Sequence, residues 1–222
     1  MFDFNSETGE IWIYDEIGPA WWGLIDAASV LSALATMEGR QATVRLNTPG
    51  GSVDEGIAIY NAMKRHPGGV VTVVDSLAAS MGSYLLQAGT NRIVTSNAMV
   101  MVHDPWSIAI GNSADMRKEA DILDKYADRM VPDYAAATGR DAKEIQGLMN
   151  EETWMVGQEI IDQGFADELE GESVEPVVAG LNRIARKAPA ALTGNMKSGD
   201  RTPYPAKRER ARAIAGKFSR TK

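Results

Sequence analysis

The sequence predicts an α/β domain of parallel βαβ units, and three observations carry that reading. Short runs rich in apolar and β-branched residues alternate with segments whose apolar residues recur at helical spacing. The early runs feed glycine-containing turns that open helices, at Asn47-Thr48-Pro49-Gly50-Gly51 and again at Ala78-Ala79-Ser80-Met81-Gly82. The chain has 222 residues, 44% hydrophobic and 24% charged, enough for one domain with a real core and ordinary globular composition.

Taken in order, residues 1–9 are polar and read as loose. Glu10 to Tyr14 is a short strand, ended by the turn signal Asp15-Glu16-Ile17-Gly18-Pro19. From Trp22 to Met37, Trp22, Ile25, Ala28, Leu31, Leu34 and Met37 step by three, with Leu24, Ala27, Val30 and Ala35 filling in, which predicts one helix with a broad buried side. Thr43 to Leu46 is a strand. Ser52 offers an N-cap, and Glu55 three residues on completes a capping-box pattern for a helix carrying Ile57, Ile59, Tyr60 and Met63. That helix stops at His66-Pro67-Gly68-Gly69.

The stretch from Val70 to His103 organises the rest. A β-branched run (Val70, Val71, Val73, Val74) precedes small residues and a helix opened by Ser80-Met81-Gly82. After Gly89 come strands near Arg92 to Thr95 and Met99 to Val102, the second leading into His103. Pro105 to Gly111 reads as a mixed connection. Met116, Ala120, Leu123, Ala127, Met130 and Tyr134 step by four and three, an amphipathic helix in which Pro132 predicts a kink or two abutting helices. A short helix over Asp141 to Met149, a brief strand over Glu151 to Met155 and a helix over Gly157 to Gln163 follow.

Charge is unevenly placed. From Lys187 to Lys222 ten Lys/Arg stand against Asp200 and Glu209, a balance of +8; with −7 for the whole chain, −15 is left on residues 1–186. We therefore divide the chain into a domain at 1–186 and a basic, disordered or conditionally helical tail at 187–222. The acidic body is unsuited to nucleic acid, while the tail suits an anionic partner. There is no cysteine, so no disulfide, thiolate metal site or cysteine nucleophile. No run approaches the roughly 18 to 20 apolar residues of a membrane span, and the acidic start does not resemble a secretory signal.

The chemistry concentrates at a serine and a histidine. Ser80 stands at a helix start, among N–H groups without intrahelical partners and at the positive end of the helix dipole, an environment suited to a nucleophile beside a developing oxyanion. The following N–H, that of Met81, faces such an oxyanion, and the side-chain-free Gly50-Gly51 turn presents further backbone N–H groups. Only two histidines exist. His66 ends a helix, where its charge suits the dipole. His103 ends a strand, where loops at the carboxyl ends of parallel strands build sites. The reading is Ser80 as nucleophile and His103 as its base.

Three motifs, Asn47-Thr48-Pro49-Gly50-Gly51-Ser52, Ala78-Ala79-Ser80-Met81-Gly82-Ser83 and Met101-Val102-His103-Asp104-Pro105, resemble those of the ClpP-type serine peptidases over roughly Ile11 to Asp167. Within that group, Asp104-Pro105-Trp106 and the helix start at Asn112 to Asp121 look most similar to the head maturation (prohead) proteases of tailed bacteriophages. The resemblance implies a ClpP/crotonase-like spiral fold assembled into homo-oligomeric rings, with no cofactor and no metal. It implies Ser80 as nucleophile, His103 as general base and acid, and the Gly50 and Met81 amides as the oxyanion hole. Aligned on Gly164-Phe165-Ala166-Asp167, the triad's acid falls at Glu152 where the family has aspartate, with Asp104 and Glu151 as second choices. An extended substrate adds as a strand beside Pro49-Gly50-Gly51, with Gly51 in contact, or beside Pro105 to Gly111.

By the same resemblance the substrates are capsid or scaffold precursors, processed in the host cytoplasm or within the prohead. About nine residues precede the first strand where unfoldase-dependent relatives carry pore loops, which favours an ATP-independent enzyme over one docked to an ATPase. Trp21, Trp22 and the Met116 to Tyr134 helix serve either core packing or subunit contact. The competing readings are a catalytically idle assembly factor recruited through its basic tail and a crotonase-type acyl-CoA hydratase or isomerase.

Overall fold

A computed structural model describes residues 1–170; the basic tail expected at 187–222 lies outside the described residues. The chain begins with strand β1 (Phe2–Asn5), which hairpins onto β2 (Glu10–Ile13), so the start is paired rather than loose. Then come α1 (Ala27–Thr36), β3 (Ala42–Thr48), α2 (Val53–Arg65), β4 (Val70–Ala79), α3 (Met81–Leu86), β5 (Asn91–Val94) and β6 (Met99–Val102). The long α4 (Ser113–Thr138), α5 (Ala142–Asn150), β7 (Thr153–Val156), α6 (Gln158–Asp162) and β8 (Glu168–Leu169) complete it.

The eight strands of the described residues form one sheet in the order β1-β2-β3-β4-β5-β8, with β6 joining β4 to β7. Pairing is parallel from β2 through β8 and between β4 and β6, and antiparallel only at β1–β2 and β6–β7. This is the mostly parallel α/β arrangement expected from the βαβ alternation. β3 shows why the alternation holds: Ala42, Val44, Leu46 and Thr48 are buried, while Thr43, Arg45 and Asn47 between them are only half-buried.

The pivot of the sheet is β4. Between the pairs Leu46–Val74 and Thr48–Ala78, β4 advances four residues while β3 advances two. Before this slip β4 pairs with β5, through residues 71–74; after it, residues 77–79 pair with β6. Asp75 sits in the slip and accepts hydrogen bonds from the Tyr14 hydroxyl and, at both carboxylate oxygens, from the Arg45 guanidinium. Burial, and then this contact with Asp75, push the Tyr14 hydroxyl's pKa well above its ordinary value.

Two helices depart from the sequence expectation. The helix predicted from Trp22 begins only at Ala27, where Asp26 caps it by accepting from the Ser29 N–H at 3.0 Å. Trp21 and Trp22 lie in a one-turn 3₁₀ segment (Ala20–Trp22) closed by left-handed Gly23, and are 81% and 70% exposed. The buried face of α1 is Val30, Ala33 and Leu34, while Leu31 points outward, so the core takes members of both the step-by-three series and the positions between them. The capping box at Ser52 is half formed. Ser52 accepts from the Glu55 N–H, but the Glu55 carboxylate instead accepts from the Ala27 N–H at 2.7 Å and serves the neighbouring helix α1.

At Pro132, where a kink or two abutting helices was expected, one helix runs through the proline. Only its last third is buried, through Met130, Val131 and Tyr134; Met116 and Ile122 are exposed. The motif Gly164 to Asp167 closes the fold. Arg92 donates to both Asp167 carboxylate oxygens, to Gln87 Oε1 and to the Gly164 carbonyl. We expect Arg92→Met to cost on the order of 3 kcal/mol in urea unfolding, because buried acceptors lose a charged donor. The hydrogen bonds from Arg92 hold the Asp167 carboxyl below the usual carboxylate range, with partial burial opposing them. A depressed folded pKa contributes stability above the unfolded value of about 4 that is lost as pH falls through the folded one. The acid-side fall in urea midpoint is therefore expected to be shallower in Asp167→Asn.

Candidate active site

The β4–β6 register builds the site. Ala79 lies opposite Met101, and the Ser80 N–H donates to the Met101 carbonyl at 2.9 Å, so both strands deliver their next residues at the same end of the sheet. Ser80 follows directly from β4, and His103 directly from β6. Their side chains meet: His103 Nε2 lies 2.8 Å from Ser80 Oγ. The two residues singled out from the sequence are thus in hydrogen-bond contact, although 23 positions apart.

Ser80 adopts φ 55° and ψ −123°, a region that L-residues rarely occupy. It precedes α3 as the N-cap, yet its side chain makes no capping hydrogen bond. The turn aims the hydroxyl at the imidazole instead of at the helix, the geometry of a sharp strand-to-helix elbow. The Ser80 carbonyl is held by the Ser83 N–H at 2.9 Å and by Ser83 Oγ at 2.7 Å. Since Ser83 donates there, Tyr134 of α4 donates to Ser83, across 2.7 Å. Tyr134 is fully buried, which raises its hydroxyl's pKa and keeps it a neutral donor. Beside it, Tyr84 donates to Asp133 and stacks on Tyr60, whose pKa burial and then Asp133 push up to about 12.

Gly50 packs against this elbow. A Cβ at Gly50 would stand 2.6 Å from the Ala79 carbonyl oxygen and 2.7 Å from both Met81 N and Ser80 Cβ, and Gly50 itself has φ 89°. Only glycine permits such an approach. The Met81 N–H, first of α3, has no intrahelical partner by position. The Gly50 N–H donates to Thr48 Oγ1 at 3.1 Å, and that hydroxyl donates to the Asp15 carbonyl at 2.6 Å. Gly51 is anchored beside it by a bridge to Ile17, with the Ile17 N–H donating to the Gly50 carbonyl at 2.8 Å and the Ser52 N–H to the Ile17 carbonyl at 2.8 Å.

The three candidate acids are differently placed. In the antiparallel β6–β7 pair the ladder ends at Val102 opposite Thr153, and His103 and Glu152 are the next residues beyond it on the two chains. Glu152 has φ 51°, and its carboxylate accepts from Trp154 Nε1 at 3.4 Å. Its N–H and that of Asp104 both donate to the Met149 carbonyl, at 3.1 and 3.2 Å. The Asp104 carboxylate accepts from Gln146 at 3.0 Å and, with the amide oriented to suit the network, from Asn150 at 2.7 Å. Glu151 is the exposed C-cap residue of α5.

His66 lies apart from this cluster: its Nε2 contacts the Arg40 carbonyl at 2.7 Å, where it ties the end of α2 to the segment before β3. Sequence reasoning did not find Thr48, Ser83 or Tyr134. A threonine two residues before a glycine is the one available signal, since Ser and Thr hydroxyls commonly serve turns. Among the described residues no group of His, Asp and Glu is arranged to hold a metal ion, and no helix is long and apolar enough to cross a membrane.

A serine elbow at positive φ, an imidazole on its hydroxyl and a glycine backbone packed against it are parts that a serine-hydrolase nucleophile site requires. The chain belongs to the Clp protease family, the ClpP-type serine peptidases, whose family model matches residues 9–173. It is 35% identical over 182 residues to ATP-dependent Clp protease proteolytic subunit 1 of Leifsonia xyli subsp. xyli, covering 81% of this chain and 91% of that relative. Subunit 2 from Bifidobacterium longum is 33% identical over 161 residues, covering 72% of this chain and 77% of its own length. Subunit 3 from Rhodococcus jostii is 35% identical over 144 residues, with 64% and 71% covered.

Proposed function

We propose that this chain is a serine endopeptidase that works by acyl transfer from Ser80. The observation that carries the reading is the 2.8 Å contact between Ser80 Oγ and His103 Nε2, on a turn against which Gly50 packs. His103 takes the hydroxyl proton as Ser80 attacks a peptide carbonyl. The Met81 and Gly50 amides receive the developing oxyanion, Gly50 by exchanging or sharing its bond to Thr48. His103 then gives the proton to the leaving amine, and water repeats the sequence to free the acyl group. An extended substrate lies beside Gly51 or along residues 105–111, using backbone hydrogen bonds.

Glu152 is the positioning acid in this reading, supported by its place one residue beyond the end of the β6–β7 ladder, as His103 is on the other strand. Glu152→Gln is expected to lower kcat by roughly 10³- to 10⁴-fold with KM little changed, and Glu152→Asp to restore part of the loss. The same change at Glu151 serves as the comparison and is expected to stay within about twofold of wild type, because exposed Glu151 only closes α5.

The finer reading is processing of capsid or scaffold precursors by a homo-oligomeric ring, without an ATPase. It is supported by the motif continuation after His103 and by the exposed apolar residues of α4, which one chain leaves uncovered. The relatives are named as subunits of ATP-dependent proteases, so the decisive experiment includes that alternative. Purified wild type and Ser80→Ala are incubated with precursor capsid protein, with and without ATP and a Clp ATPase, and native mass is measured on the same samples. Cleavage by an assembled wild type alone, without ATP, is the expected result. Equal cleavage by Ser80→Ala refutes the nucleophile, and strict dependence on the ATPase refutes the ATP-independent reading.

A further inference from the structure

Resting on the peptidase reading above, we infer that Ser83 and Tyr134 are positioning residues that aim the Met81 N–H at the oxyanion. The Ser80 carbonyl and the Met81 N–H belong to one peptide unit, which is planar and directs the two groups in opposite senses. Whatever fixes the carbonyl therefore fixes the N–H. Donors at residues 83 and 84 draw the carbonyl toward α3. The Met81 nitrogen faces the glycine loop, where a Cβ on Gly50 would come within 2.7 Å of it.

Three donors hold that carbonyl: the Ser83 N–H at 2.9 Å, the Tyr84 N–H at 3.3 Å and Ser83 Oγ at 2.7 Å. The first two come with the opening turn of a helix. The hydroxyl is an addition, since a carbonyl oxygen offers two lone pairs and the backbone already engages them. Ser83 Oγ gives its one proton to the carbonyl and accepts from the Tyr134 hydroxyl across 2.7 Å. The Tyr134 ring packs against those of Tyr84 and Phe165, with centroids 5.6 and 5.8 Å away. The end of α4 thus reaches the nucleophile's turn through two hydroxyls 51 positions apart.

Folding alone does not call for this pair. Ser83 and Tyr134 are both buried, and at a helical position alanine has the higher propensity than serine. Alanine and phenylalanine would fill the same space with no polar atom to satisfy, and replacing both partners of a buried hydrogen bond by apolar groups of matching shape is nearly neutral. What the pair adds is a stiff tie on the peptide unit that carries the Met81 N–H. That tie acts where charge develops, on the tetrahedral oxyanion, and leaves the binding of the uncleaved substrate alone.

The test compares wild type with Ser83→Ala, Tyr134→Phe and the double variant. Each is assayed with a fluorogenic peptide selected from a library by wild-type cleavage, with the peptide boronate of the same sequence, and by urea unfolding. Ser83→Ala is expected to lower kcat about tenfold with KM within about twofold, and to weaken the boronate, which adds to Ser80 as a tetrahedral anion, by the same factor as kcat. Tyr134→Phe, acting through Ser83, lowers kcat about threefold, and the double variant falls no further than Ser83→Ala. Stability follows a different order: Ser83→Ala strands the buried Tyr134 hydroxyl and lowers the urea midpoint, and the double variant regains it. A rate that recovers together with the midpoint, a loss in KM with kcat unchanged, or losses that multiply in the double variant overturn the inference and leave the peptidase reading standing. If Ser83→Ala does not fold, Tyr134→Phe and the double variant carry the same comparison. If no library peptide is cleaved, the rate of Ser80 labelling by a fluorophosphonate, whose phosphonyl oxygen needs the same N–H, replaces kcat with the same expected losses. A wild type that is neither active nor labelled refutes the peptidase reading, and the inference falls with it.

Discussion

Ser80→Ala is expected to lower peptide turnover by roughly 10⁴- to 10⁶-fold while leaving the urea midpoint nearly unchanged. The loss has the size seen when a serine nucleophile is removed from a working triad. The unchanged stability follows from what the hydroxyl does: it caps nothing in α3, and among the described residues its hydrogen bond is to His103. Ser80→Gly separates chemistry from folding further. At φ 55° and ψ −123° glycine relieves strain that serine and alanine share, so this variant is expected to be equally inactive yet more stable, by on the order of 1 kcal/mol. Parallel rate and unfolding measurements on the two variants check both halves. A destabilised Ser80→Gly would mean that the elbow is not a strained conformation.

Gly50→Ala is the second large effect, and it falls on activity and stability together. The added Cβ meets the Ala79 carbonyl oxygen at 2.6 Å and Met81 N at 2.7 Å, both backbone atoms that cannot rotate aside. The position also has φ 89°, strained for alanine whatever the space. The glycine loop must therefore withdraw from the elbow, carrying its amide away from where an oxyanion forms. We expect turnover to drop at least 10²- to 10³-fold, with unfolding destabilised by roughly 1–3 kcal/mol. Peptide hydrolysis and urea denaturation of the same preparation give the two numbers. Wild-type activity with intact stability would remove Gly50 from the oxyanion site.

The sheet was legible because its signals are local. β6 was read at its observed limits, and β4 was marked by its valines, since β-branched runs bounded by glycine turns have few other readings. The meeting of Ser80 and His103 was legible for a related reason: each directly follows a strand, and in a parallel sheet strand ends converge. The start of α1 was not legible. Trp22 continued the apolar period, but only the fold shows that Gly23 ends a separate turn and that Asp26 begins the helix. Glu55 satisfied its local pattern and then served α1, because a helix N-terminus 28 positions away in sequence competes for the same carboxylate. In the Tyr134–Ser83–Ser80 relay the Ser83–Ser80 half is a local contact three residues apart, but the Tyr134–Ser83 half is tertiary, and nothing in the spacing of those two residues foretells it. On α4 the periodicity was real but mostly lacks a partner within one chain, so pattern alone could not tell core from contact surface.

The most direct measurement is intact-mass analysis, with peptide mapping, after exposure to a fluorophosphonate. A serine whose proton is taken up by an adjacent imidazole reacts with this reagent, whereas ordinary serines and an acyl-CoA hydratase site do not. One adduct on Ser80 is expected in the wild-type protein, and none in folded Ser80→Ala or His103→Ala. An adduct on another serine, or a folded wild type left unlabelled, would contradict the assignment of Ser80 and His103 as nucleophile and base.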